Sequence, residues 1–141
     1  MANATPRRSS IAAIAPASGS NSQSIAAGAT ATFTFVVSEP CVLDRLIVSC
    51  AQVLAAGAEG TSWMDAIHFL EITDFVVNAD RLVSGSVPAA LFGQTTPADG
   101  PRGTSNPFLG HRVNQSSTVT VSIANRAAAV AIFTSVGISV L

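Results

Sequence analysis

Residues 117–123, STVTVSI, decide the fold class, because polar and apolar side chains alternate from Thr118 to Ile123. Successive side chains of a β-strand point to opposite faces of its sheet. Val119, Val121 and Ile123 therefore share one face, and Thr118, Thr120 and Ser122 share the other. The segment predicts a strand with one side in an apolar core and the other side outside it.

Three further segments, residues 30–37, 41–50 and 130–141, have strand patterns of two kinds. The first and the last alternate in the same way. The middle segment is apolar on both faces except at Asp44 and Arg45, which predicts a strand covered on both sides. In the two alternating segments, the residues expected to face the core are Phe33, Phe35, Val37, Val130, Ile132, Val136, Ile138 and Val140.

Further strand signals at residues 67–77 and 81–83 bring the expected total to about six to eight strands. Residues 84–112 are rich in Pro and Gly and predict a long loop, with a helical turn at 87–92. A turn beginning at Asn125 is expected to join the last two strands. We therefore expect an all-β antiparallel sandwich, and among sandwiches a single jelly roll, because a long connection separates early strands from late ones.

The domain organisation follows from a change in composition near residue 24. Residues 1–24 are rich in Ala, Ser, Asn, Gln and Pro and contain no acid, which predicts an extended, low-complexity N-terminal arm. Residues 25–141 form the expected sandwich domain. The arm has too little apolar surface to fold alone, so we expect neighbouring subunits to order it.

The charge content is low for a soluble chain of 141 residues. Charged residues make up 11% of the sequence, against about a quarter in an average protein, and hydrophobic residues make up 48%. The net charge is -1 and every basic residue is Arg. These values argue against a disordered chain and against a domain that coats nucleic acid. A surface of Ser, Thr, Ala and Gly suits a subunit that is buried by its neighbours.

Arg7 and Arg8 are the two basic residues of the arm. They carry +2, so the rest of the chain carries -1 minus 2, or -3. Two charges are few for binding phosphates, and the acidic body repels them. We expect the arm to pack on neighbours, with contact to nucleic acid as the less favoured role.

Cys41 and Cys50 lie nine positions apart in one expected strand, about 30 Å at 3.3 Å per residue, too far for a disulfide. We expect two free, buried thiols, as in a protein assembled in a reducing cytoplasm. His68 lies three positions from Asp65 and from Glu71, and on a strand this odd spacing puts the carboxylates on the opposite face. We therefore expect no metal site and no cofactor.

Motifs for catalysis or membrane insertion are missing from the sequence. No Gly-x-Ser-x-Gly elbow and no phosphate-binding loop is present. Glu71 and Asp74 also have an odd spacing, so no carboxylate pair is expected. The apolar run at residues 11–15 is shorter than a secretion signal, and no uncharged apolar run has the length of a membrane span. We expect a protein that is not an enzyme and has no membrane span.

Trp63, Phe92 and Phe108 lie in segments expected to be loops. Aromatic side chains in loops are typical anchors of protein interfaces, and we assign these three that role. They could instead stack on sugars, as aromatic residues of many sandwich domains do.

The order of these segments resembles that of small single jelly-roll structural proteins of bacterial viruses. The resemblance is carried by the Ala/Ser arm, by IAAGATATFTF at 25–35, LDRLIV at 43–48 and FLEITDFVVN at 69–78, and by the Pro/Gly loop and closing Thr/Val hairpin. It covers residues 25–141. It implies a capsid, vertex or cement subunit that forms homo-oligomers, contacts other virion proteins and resides in the virion after assembly in the host cytoplasm.

Two other kinds of protein fit the same pattern. One is a subunit of a surface-assembled filament, sheath or adhesin. The other is a carbohydrate-binding sandwich module.

Overall fold

The computed structural model describes residues 14–17, 20–53, 66–83, 85–93 and 109–141. Their alternating segments form strands that pair into two antiparallel sheets, as the patterns predict. The strands are β1 (Ile14–Pro16), β2 (Ser22–Ile25), β3 (Thr30–Val37), β4 (Cys41–Val53), β5 (Leu70–Val77), β6 (Asp80–Arg81), β7 (Val87–Pro88), β8 (His111–Val113), β9 (Thr118–Asn125) and β10 (Ala131–Val140).

The two sheets pack as a sandwich with β10 and β9 in their interiors. The four-stranded sheet has the order β2-β10-β4-β8, and the six-stranded sheet has the order β1-β3-β9-β5-β6, with β7 also paired to β5. Because β9 and β10 belong to different sheets, the expected hairpin between the last two strands is wrong. The connection at residues 126–130 instead crosses from one sheet to the other.

The segments between the long strands partly match expectation. The helical turn expected at residues 87–92 is a 3-10 helix at Ala89–Phe92. The strand expected at 67–77 begins only at Leu70, because Ala66 and Ile67 have helical backbone. The β4 strand extends past Cys50 to Val53.

One apolar layer fills the space between the sheets. The inward faces predicted for β3, β9 and β10 are confirmed, with Val130 as the exception, since it precedes β10 and is half-buried. The outer face of β4 is half-buried rather than covered, so that part of the prediction is wrong. The largest fully buried side chains are Phe75, Ile25, Leu43, Leu46, Leu70, Ile72, Ile123, Ile132, Ile138, Val37, Val48 and Val77.

A bulge in β4 keeps its apolar residues inward. Arg45 pairs with Ser139 and Leu43 pairs with Val140, so Asp44 is an extra residue in the ladder. An extra residue shifts the alternation by one position. As a result, Leu43 and Leu46 are both fully buried although they are three positions apart.

The β5 strand contains a second bulge of the same kind. Asp74 pairs with Ser122 and Ile72 pairs with Ile123, so Thr73 is the extra residue. Ile72 and Phe75 are both fully buried, again three positions apart. In both strands, two polar residues between two apolar ones mark the bulge.

Part of the predicted N-terminal arm belongs to the sandwich itself. β1 pairs with β3, and the Ile14 side chain is buried. β2 pairs with β10 along its whole length. The boundary expected at residue 24 therefore coincides with no edge of the sandwich, and strands of the same chain order residues 14–16 and 22–25.

The amide of Asn125 joins the sheets where the chain crosses between them. Its Nδ2 donates hydrogen bonds of 2.9 Å to the carbonyls of Ile25 and Val130, and its Oδ1 accepts one of 2.9 Å from the Ala127 amide. Asn125 is fully buried, so these partners replace water for every polar group involved. The side chain connects the end of β9 with the end of β2 in the other sheet.

Replacing Val121 with Asp tests the inward face of β9. Val121 is fully buried between Phe33 and Phe75 on the neighbouring strands, so the substitution buries an unpaired charge. We expect the free energy of unfolding, measured with urea, to fall by at least about 3 kcal/mol. Thr120→Asp, one position along on the outer face, should cost less than half as much. Equal effects would contradict the assigned faces.

Deleting single residues of β4 tests the bulge. Without Asp44 the strand alternates regularly, with Leu43 and Leu46 still inward. We expect this deletion to cost about 1–2 kcal/mol, mainly from the lost hydrogen bond between Ser139 and Asp44. Deleting Ile47 should cost more than about 4 kcal/mol, because it turns Val48 outward. A deletion of Asp44 that unfolds the protein would argue against the bulge.

Candidate functional site

The outer side of the β2-β10-β4-β8 sheet is poor in charge, and we call it the four-stranded face. Phe133 in its centre is 44% exposed. The charged side chains described on this face, Asp44, Arg45 and Arg112, all lie toward its β8 end. The remaining outward residues of the three longer strands whose side chains are described are Ser22, Ser24, Val42, Ile47, Ser49, Ala51, Ala131, Ser135, Gly137 and Ser139.

Several hydroxyl groups of the four-stranded face have partners within the same face. Ser22 and Ser135 share a hydrogen bond of 2.7 Å between their Oγ atoms. Ser139 Oγ donates a hydrogen bond of 3.1 Å to Asp44 Oδ2. A face whose polar groups are paired internally loses little when water is removed from it.

The opposite side of the sandwich, which we call the six-stranded face, combines hydroxyl groups with ion pairs. Thr32 and Ser122 form a hydrogen bond of 3.1 Å between strands. Outward Thr residues on β3, β5 and β9 surround this pair, and Val36 at the edge is 42% exposed. This face is therefore more polar than the other.

Glu71 and Asp74 lie on the same side of β5, contrary to the expectation from their odd spacing. The bulge at Thr73 shifts the alternation, so that both carboxylates lie on the six-stranded face. Glu71 Oε2 accepts a hydrogen bond of 3.0 Å from Arg126 Nε, and Asp74 Oδ1 lies 3.3 Å from Arg81 Nε. With separate cations beside them, the two acids are arranged as ion pairs.

The two histidines are in different places. His68 lies in the turn before β5 and is exposed. His111 begins β8, and its Nε2 lies 3.6 Å from Asp80 Oδ2, so this contact spans the edges of the two sheets. Within the described ranges, no three His, Cys, Asp or Glu side chains are grouped in a way that could hold a metal ion.

The predicted site residues fall into two groups. Arg7, Arg8, Trp63 and Phe108 lie outside the described residues. Phe92 is 5% exposed and belongs to the core of its own chain. Its ring therefore packs between the sheets of its own chain. Phe92 is a core residue, and its assignment as an interface anchor is corrected.

A cavity of about 370 Å³ opens where β4 meets β8. Its described lining contains one cation, Arg112, and one amide, Asn114. These groups could accept an anion weakly, but they do not combine an acid with a base.

Both cysteines are buried and form no disulfide, as predicted. Burial raises the pKa of Cys50 from 9.0 to about 11, because the thiolate would lose its solvation between the sheets. A thiol held in this way is a poor nucleophile at neutral pH.

The four-stranded face is the feature that sequence reasoning missed. Its signal is the outward row of β10, where Phe133 interrupts small and polar residues and Gly137 stands inside a strand. A glycine within a strand often marks a place where another backbone approaches closely.

Compared with known proteins, the chain matches no family model, no curated sequence and no solved structure. Within the part of the chain that the structure describes, no helix is long and apolar enough to cross a membrane.

The raised pKa of Cys50 predicts a loss of stability at high pH. Above pH 9 the unfolded thiol releases its proton, while the folded thiol keeps it until about pH 11. The unfolded state then binds fewer protons, so the free energy of unfolding should fall by about 2 kcal/mol across this range. The chain has no Lys and no Tyr, so few other groups titrate there.

Urea unfolding at several pH values between 8 and 11 measures this effect. Cys50→Ala should lower stability at neutral pH but flatten the decline, whereas Cys41→Ala should retain it. An equally steep decline in Cys50→Ala would contradict the burial of this thiol.

Proposed function

We propose that this chain is a structural subunit of a virus particle, acting as a capsid, vertex or cement protein that assembles with copies of itself. Its body would form the wall of the particle, in contact with other virion proteins, and assembly would take place in the host cytoplasm. It would not be an enzyme.

The strand order supports assigning a jelly roll, the finer topology within the sandwich. β6 and β7 pair with opposite ends of β5 and act as two halves of one strand, which gives eight strands from β2 onward. In a jelly roll, one sheet contains the first, eighth, third and sixth strands, and the other contains the second, seventh, fourth and fifth. The orders β2-β10-β4-β8 and β3-β9-β5-β6 follow this sequence, with β1 added beside β3.

A jelly roll alone does not determine function, since it occurs in capsid proteins, lectins and other classes. The observation that carries the proposal is the four-stranded face. Its described centre lacks charge and presents Phe133 and Ile47 among small residues. Such a surface favours burial against another protein.

The low charge of the whole chain points in the same direction. With 11% charged residues, a free monomer would have little to keep it apart from its neighbours. A subunit that is buried on several sides in an assembly does not need that protection.

Negative-stain electron microscopy of the purified full-length protein, with its mass measured by light scattering, tests the proposal. We expect rings, closed shells or flat lattices, and a mass that is a multiple of 14.3 kDa. Open filaments would favour the surface-assembled alternative. A uniform monomer at all concentrations would contradict a self-assembling subunit and favour a binding module, which a glycan-binding screen would then examine.

A further inference from the structure

We propose that the four-stranded face binds the same face of a second copy of this chain, around a two-fold axis parallel to the strands and midway between β10 and β4. This inference rests on the proposed self-assembly and names the surface that carries it. The partner is identified by the shape and charge of the face.

Four residues in two rows of β10 and β4 alternate between large and small. Phe133 pairs with Ala51 across the ladder of β10 and β4, and two rows further along Gly137 pairs with Ile47. The large residues thus occupy one diagonal of a square and the small residues occupy the other. Between these rows, Ser135 pairs with Ser49.

The two-fold axis places each large residue over a small one. It exchanges β10 of one copy with β4 of the other and keeps the rows aligned. Phe133 then lies over Ala51 of the second copy, and Ile47 lies over its Gly137. Complementary relief of this kind is what a self-associating surface requires.

Gly137 provides room for such an approach. A Cβ atom added there would meet no atom within 4 Å. The outer surface of β10 is therefore bare backbone at this position.

The charges of the face also fit a second copy. Arg45 pairs with Ser139 in the ladder, and Ser139 donates its hydrogen bond to Asp44. The axis therefore brings Arg45 of each copy over Ser139 of the other. Because Asp44 and Arg45 are neighbours on β4, this row holds one carboxylate and one guanidinium from each copy, and their charges balance.

The area of the face is close to what a specific contact needs. The ten residues of β10, at about 3.4 Å each, and three strands about 4.8 Å apart give a surface of roughly 30 Å by 14 Å. Two such faces together would bury about 800 Å², not counting the extra area of protruding side chains. Specific interfaces bury about 1,000 Å² or more in total.

The six-stranded face lacks these properties. Its charged side chains Glu71, Asp74, Arg81 and Arg126 stand within the outward rows of β5 and its neighbours. Its exposed Val36 nevertheless offers a matched position, because it is 42% exposed and Phe133 is 44% exposed. Both are outward residues of strands that have neighbours on each side.

Phe133→Arg and Val36→Arg in the full-length chain test the surface directly. Sedimentation equilibrium measures the dissociation constant of the smallest associating unit. We expect Phe133→Arg to weaken association at least tenfold and Val36→Arg to change it less than threefold. Unchanged association of Phe133→Arg would overturn the inference and leave the proposed function standing. A wild-type protein that is monomeric at every concentration would overturn both.

Exchanging the large and small side chains at positions 133 and 51 distinguishes shape complementarity from nonspecific hydrophobic association. Ala51→Phe adds apolar surface, yet it should weaken association at least fivefold because Phe133 of the second copy occupies the same space. The double variant Ala51→Phe with Phe133→Ala should recover most of the affinity. Stronger association of Ala51→Phe alone would overturn the paired arrangement. Circular dichroism of each variant confirms that the sheets remain folded.

The axis itself is tested by chemical cross-linking between copies. Ser135→Cys protein mixed with Ser49→Cys protein should form a cross-linked heterodimer with a short bifunctional maleimide, because these positions face each other across sheets about 10 Å apart. The native thiols Cys41 and Cys50 are buried and contribute little background. Cross-linking of Ser135→Cys with itself, without the heterodimer, would contradict the proposed axis.

Discussion

The sandwich depends on one constraint, which is that every long strand must keep its apolar row between the two sheets. A strand changes face at every residue, so a single extra residue reverses the burial of everything after it. In β4 and β5 the extra residues Asp44 and Thr73 shift the alternation by one position. Without them, the apolar residues beyond each bulge would point outward. The bulges therefore allow two strands with interrupted patterns to contribute to one continuous core.

Local patterns were enough to predict the strands but not their partners. The inward rows of β3 and β9 follow from alternation alone, since each contacts the core on one side. The interrupted alternation at Leu43-Asp44-Arg45-Leu46 was visible in the sequence, and with it the bulge could have been anticipated. Strand order could not, because it depends on contacts between distant segments, such as the amide of Asn125 with the carbonyl of Ile25, a hundred positions away.

The same limit applies to the candidate site. Loop aromatics were the reasonable choice for interface anchors, but the hydrophobic effect draws Phe92 into the core once the 3-10 helix packs against β4 and β5. Phe133 is exposed for the opposite reason, since alternation leaves it on the outer row of a strand whose inner row is already filled. The proposed interface lies on the outer side of a sheet, where no sequence motif marks it, so it emerges only when the strand order places Phe133, Ala51, Ile47 and Gly137 together.

The pairing of β10 with β4 is the claim on which the core, the strand order and the four-stranded face all rest. Nuclear Overhauser contacts between backbone protons of a uniformly labelled protein, in its smallest associating form, measure this pairing directly. The structure predicts contacts of Val136 with Val48 and of Ser139 with Arg45, and a shift in register that brings Val140 opposite Leu43. Contacts joining β10 to β9 as a hairpin, with none to β4, would contradict the account.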